Sequence, residues 1–177
     1  MNIKKKQIGP DDAKWLDHHY MNHWLWACEQ DALEYLKTSK AMWEDLSGTA
    51  PGELSRRGYH FVTTMGAMLR VLERSVLLFP DLRATYDGAV HLLTEGKNLR
   101  DMIEHAYGGH RNYFDGNGKL QDQFVRGDEN IAADATSTII TDRGHLLGNR
   151  LCVEEVLAEV QALIAVANTI AVPVANE

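Results

Sequence analysis

Between Leu54 and Phe79, the residues Leu54, Gly58, Phe61, Met65, Met68, Leu72, Val76 and Phe79 recur at spacings of four and three without a miss. Only an α-helix brings such positions onto one line, because its turn takes about 3.6 residues. A helix with one unbroken apolar edge has to bury that edge, so this segment commits the chain to a helical core. Ser47-Gly48-Thr49-Ala50-Pro51-Gly52 marks its start, and Phe79-Pro80 stops it. The methionines and aromatics on the stripe read as core filling.

Two further long helices are predicted beside it. Pro10-Asp11-Asp12 opens the first, which runs to about Lys37, with Met21, Leu25, Cys28, Ala32, Tyr35 and Leu36 on one face. Trp15, Trp26 and Leu33 lie on another face, so this helix is either deeply buried or shared with a partner chain. Trp43-Glu44-Asp45-Leu46 reads as part of the connection that follows. The third helix is expected from an Asp81 cap to about Tyr107, before Gly108-Gly109. Its stripe is Leu82, Tyr86, Ala89, Leu93, Gly96, Arg100, Ile103 and Tyr107, with Gly96 a candidate kink.

Asp115-Gly116-Asn117-Gly118 is a turn signal, and the polar stretch to Asn130 reads as loop or short helix. Thr136 to Thr141, the turn Asp142-Arg143-Gly144 and the run to Leu151 suggest a small β-hairpin. A last helix is expected from about Val153 to Ile170. The predicted fold is mainly α: one domain over residues 1–177, an antiparallel bundle with a small β-hairpin before the C-terminal helix.

Charge and cysteine usage narrow the function classes. Net charge is −7, which argues against a surface that attracts nucleic acid everywhere but leaves room for a small basic cleft. Cys28 and Cys152 are far apart and form no CxxC pair, so neither a disulfide framework nor a cysteine zinc site is expected. Cys152 stands at a helix-cap position and reads as structural. No run of about 18 apolar residues is present, and Pro10-Asp11-Asp12 follows the basic start where a signal peptide would be apolar. A cytoplasmic protein without a membrane partner is the expectation.

Arg100-Asp101-Met102-Ile103-Glu104-His105 is the segment richest in chemistry. An arginine on an apolar stripe is paired or lines a wet cleft, because burying a lone guanidinium is costly. Glu104 is spaced to pair with Arg100, and Asp101 to orient His105. His105 sits in a last helical turn, where the helix dipole favours imidazolium. A cation, a histidine and two carboxylates could bind a phosphate and move a proton, as metal-independent RNA cleavage requires. Tyr107, His110, Arg111 and Tyr113 follow, and could meet a base or phosphate by stacking and charge.

This arginine, polar residue, three further residues and histidine near a helix end resemble the signature of the HEPN superfamily. The resemblance implies an antiparallel helical bundle, often dimeric, with arginine and histidine of both subunits lining one cleft. Many members are metal-independent ribonucleases, and some are toxins paired with a nucleotidyltransferase-like antitoxin. It carries Arg100, Asp101 and His105 as motif positions. Catalytic Arg100, His105, Asp101 and Glu104, substrate-binding Tyr107, His110 and Arg111, and no cofactor or metal are the resulting expectations. A homodimer through the first and third helices is expected from the tryptophan-bearing second face.

Two rivals stand beside it. In one, the chain is a non-enzymatic helical interaction module of HEPN-like fold in which Arg100 and His105 only stabilise the dimer; in its plainest form the motif is an Arg100–Glu104 structural ion pair and a surface His105. In the other, His19 and His23, four apart beside His18, ligate a metal with His60, His91 or His110, as in a DinB-like metalloprotein.

Overall fold

The computed structural model describes residues 9–44, 50–107, 112–114, 120–122, 124–126 and 132–171. Four helices dominate them: α1 (Pro10–Glu44), α2 (Ala50–Leu78), α3 (Arg83–Tyr107) and α4 (Val153–Ala167). Every position of the α2 stripe from Leu54 to Phe79 is buried. Met21, Leu25, Cys28, Ala32 and Tyr35 of α1 face it, and Val153, Val156, Val160, Leu163 and Ala167 of α4 complete the core.

Side-chain pairs fix the directions. Asp17 meets Arg74 at 2.6 Å and Asp31 meets Thr64 at 2.6 Å, so α2 runs against α1. His18 Nε2 lies 3.2 Å from the Ala167 carbonyl, and Gln161 donates to Glu29 at 3.1 Å, so α4 also runs against α1. The short link after α2 turns α3 back along it. The result is an up-down-up-down bundle.

Several boundaries differ from the sequence reading. Helix α1 continues to Glu44, which puts Trp43 in its last turn and not in a connection. Nothing from Lys37 to Met42 breaks a helix, and Ser39 carries the buried line one turn past Tyr35. Asp81 does not cap α3: it lies in a 3₁₀ turn, Pro80–Leu82, whose leading residue Phe79 makes no side-chain cap bond. Gly96 lies inside a helix that is continuous from Arg83 to Tyr107, and close packing explains its small size. A Cβ there would come within 2.6 Å of the Met65 sulfur, so the glycine is the notch that lets α3 close on α2. Helix α4 ends at Ala167, leaving Ile170 in the turn beyond it.

Helix α4 has 15 residues against 35 in α1, so it covers only part of the groove. A three-stranded antiparallel sheet fills the remainder: β5 (Thr138–Thr141), β6 (Gly144–Leu147) and β7 (Leu151–Cys152). The expected hairpin is present, with Thr138 opposite Leu147, and β7 is an added strand with Leu151 opposite Leu147. Two shorter antiparallel pairs precede the sheet. One joins β1 (Asn112–Phe114) to β2 (Leu120–Asp122), and the other joins β3 (Phe124–Arg126) to β4 (Ala132–Asp134). They stand where a loop or short helix was read, and Tyr113, Phe114, Phe124 and Val125 are residue types that favour strands.

The sheet is pinned to the bundle at three points. Tyr35 and Thr138 share a hydroxyl hydrogen bond of 2.6 Å. Leu147 packs over Gly58, and Leu99 over Gly148. Gly148 and Asn149 both have positive φ, 61° and 56°, and the Arg150 amide donates to the Leu147 carbonyl at 3.2 Å. That pattern is a type I′ turn, whose twist suits adjacent antiparallel strands.

Gly148→Ala should therefore be costly. It puts a side chain at positive φ, and its Cβ would come 2.6 Å from Leu99 Cδ2. The expected loss is about 2–4 kcal/mol, read as a lower urea midpoint at unchanged slope.

Candidate functional site

Arg100 lies near the C-terminal end of α3, and its side chain is 15% exposed. The guanidinium crosses towards α2, where a Cβ on Gly66 would meet Nη1 at 2.9 Å. Glycine at that position gives the cation its seat. Arg100 bonds Asp101 Oδ1 through Nη2 at 2.5 Å and through Nε at 3.0 Å, with Glu104 Oε1 3.6 Å from Nε. Lys97 holds the other Asp101 oxygen at 3.0 Å. Arg100, Asp101 and Glu104 are thus brought together, with Asp101 occupied by two cations.

His105 and Tyr107 belong to α3, but their side chains fall outside the described residues, as do His110 and Arg111 entirely. Met102 and Ile103, between them and Arg100, are buried.

The first-helix histidines have other partners. His18 bonds the end of α4 and is edge-on to Phe79, and His19 stacks on Trp15 at 5.4 Å. Among the described residues no three histidine, cysteine, aspartate or glutamate side chains are grouped to hold a metal ion. The described chain also contains no helix long and apolar enough to cross a membrane.

Two clefts were not read from the sequence. One, of about 280 Å³, lies between α1 and α2 and is lined by Asp17, Tyr20, Trp24, Arg70 and Arg74. Arg70 is one helical turn beyond Gly66 and Arg74 two, so the cleft lies further along α2 from the seat of Arg100, on the side of α2 that faces α1, and Arg100 is not among its lining residues. Its signal in the sequence was Arg70-x3-Arg74 flanking the α2 stripe, opposite Tyr20-x3-Trp24. The other, of about 540 Å³, lies between the end of α1 and the β5–β6 hairpin. There His145 Nδ1 is 2.5 Å from Glu154 Oε1, and the His145 amide donates to Glu154 Oε2 at 2.9 Å. Burial alone would push the Glu154 carboxyl up, but the His145 side-chain and amide bonds bring it below its ordinary value. Strand pairing sets this contact across nine residues of sequence, a spacing that no helix or strand period announces.

Cys152 agrees with a structural reading. Burial raises its pKa, and the thiol donates to the Arg143 carbonyl at 3.2 Å. Trp15, Trp26 and Leu33, the second face of α1, are 40%, 59% and 42% exposed, so the described residues do not cover them.

No protein-family model matches the sequence, and no curated protein or solved structure matches it either.

Arg100→Ala should lower stability by roughly 1–3 kcal/mol, the scale of charge-assisted hydrogen bonds lost from a half-buried site. Arg100→Lys should recover less than half, because one ammonium cannot fork between two carboxylates. Gly66→Ala should stay within about 1 kcal/mol, since the arginine tip can swing aside while the helix gains propensity. Thermal melts of the three variants check this order.

Proposed function

We propose that the chain is a HEPN-like helical-bundle protein that binds RNA as a homodimer and cleaves it without a metal, using Arg100 and His105. The observation that supports this most is the course of the Arg100 guanidinium. It leaves α3 and rests on α2, one turn from Arg70 and two from Arg74, whose cleft also holds Tyr20 and Trp24. Arginines with aromatic side chains between them suit a single strand, through phosphate pairing and base stacking. A local patch of this kind is compatible with a net charge of −7, because phosphate contacts act over about a Debye length.

In this reading Arg100 stabilises charge on the phosphorane-like transition state, and His105 moves the proton of the 2′-hydroxyl or the leaving oxygen. Asp101 and Glu104 hold the guanidinium in place between turnovers. The exposed Trp15, Trp26 and Leu33 supply the apolar surface that a dimer through α1 would bury. By the same resemblance, a nucleotidyltransferase-like antitoxin would be the natural protein partner.

A second reading is favoured by one specific observation: Asp101 and Glu104 already occupy the Arg100 guanidinium. In that case the cluster only ties α3 to α2, and the chain is a non-enzymatic interaction module.

A cleavage assay separates the two. Arg100→Ala and His105→Ala should each reduce RNA cleavage by about a hundredfold or more, the usual scale for such groups. Cleavage should persist in a chelator and leave a 2′,3′-cyclic phosphate. Undiminished cleavage by folded His105→Ala removes the catalytic assignment. Wild-type protein that cleaves no RNA on a broad panel leaves the interaction module. In light scattering the chain should run at twice its 19.9 kDa mass, and a clean monomer overturns the composite cleft.

A further inference from the structure

The cleft at the far end of α1 combines features that the RNA reading does not use. Its walls include Leu36 and Trp43 from α1 and Ile140 from the hairpin, and Trp43 and Ile140 are 52% and 44% exposed. Exposed large apolar side chains gathered in one concavity mark a surface suited to a ligand. A volume of about 540 Å³ falls in the range of small-molecule sites.

Its polar groups limit which ligand fits. Lys37, Lys40, Glu44, His145 and Glu154 all border the cleft. Lys37 is paired with Glu34 at 3.3 Å, and Glu154 is occupied by His145. Lys40 pairs with no carboxylate among the described residues, which leaves one cation for a ligand's single negative charge. A dianion would bring a second negative charge beside Glu44 and Glu154 without a second free cation. Glu154 engages Nδ1 of His145, so Nε2 is the ring nitrogen left to hydrogen-bond a ligand.

We propose that this cleft binds a small aromatic monocarboxylate, its ring against Trp43, Leu36 and Ile140, its carboxylate on Lys40, and a ring donor on His145 Nε2. Glu154 is a positioning residue that holds the imidazole. The site stands apart from Arg100 and from the α1–α2 cleft, so its fate in an experiment is independent of RNA cleavage.

Isothermal titration with indole-3-acetate on the full chain tests it. One saturable site per chain is expected, with micromolar to millimolar affinity. Lys40→Met, Trp43→Ala and the neutral probe indole-3-acetamide should each weaken binding by about tenfold or more, while Arg70→Ala should leave it unchanged. Lys40 and Trp43 are exposed, so neither variant threatens the fold, and a thermal melt beside each titration confirms that. Absence of saturation overturns the proposal. So does equal binding of the amide, full retention in Lys40→Met, or loss in Arg70→Ala, which would move the ligand to the other cleft. Tighter binding of 1-naphthyl phosphate would replace the monocarboxylate with a phosphate ester. A change of oligomeric state in Trp43→Ala would give the cleft to a second copy of the chain.

Discussion

Helix α4 reaches the early turns of α1 with its C-terminal end, so it is the later parts of α1 and α3, before α4 begins at Val153, that no fourth helix covers. An apolar surface left open there would lose about 25 cal/mol for every Å² kept in water. The sheet β5–β7 closes that gap, and it fits only because the bundle has made room for it. Gly58 and Gly148 admit Leu147 and Leu99, and Tyr35 reaches Thr138. Burial raises the pKa of the Tyr35 phenol, as for a hydroxyl sealed inside the fold. Packing at this end also brings His145 against Glu154, since one stands on β6 and the other in the first turn of α4.

The sequence was most legible where one period ran long. The α2 stripe and the buried lines of α1 and α4 follow from spacing, because a helix face is a local property. Arg100 was legible as well: a charge on an apolar line had to be paired, and Glu104 lies near it as the spacing required, while Asp101, expected to orient His105, bonds Arg100 and Lys97. Its seat on Gly66 was not, since the spacing within α3 carries nothing about α2. The end of α1 was misplaced for a related reason. Lys37 to Met42 is locally neutral, and the inward line continues only through a buried serine, Ser39, and a partly buried Met42, which spacing of large apolar residues does not announce. The added strand β7 was hidden in Gly148-Asn149, two residues whose left-handed backbone makes a second turn within the run that was read as one strand. Asp17 was likewise unremarkable in sequence, yet it is buried against Arg74 between two helices.

Around Arg100 the electrostatics lean towards order. Two carboxylates share Arg100 and Lys97, so the helix surface there is neutral overall while the charges stay fixed in place. A phosphate arriving at such a site would compete with Asp101 for the guanidinium, and the exchange would free a carboxylate already close to the motif. The α1–α2 cleft is arranged in the same way, with Arg74 held by Asp17 and Arg70 beside it. Arg100 and Arg74 are each held by a carboxylate, Arg100 half-buried and Arg74 largely exposed, so the restraint is tighter at Arg100.

The path from α3 to α4 runs from residue 108 to residue 152, and its described residues form two short strand pairs and the three-stranded sheet, while α1, α2 and α3 follow one another at close spacing in the sequence. Helices joined so closely meet early, whereas α4 and its sheet must wait for a long stretch of chain to close. The entropy of that closure grows only logarithmically, by about 0.6 kcal/mol for each doubling of length. This connection is therefore where the molecule can lengthen or shorten over evolutionary time at small cost, while the bundle it returns to keeps its shape.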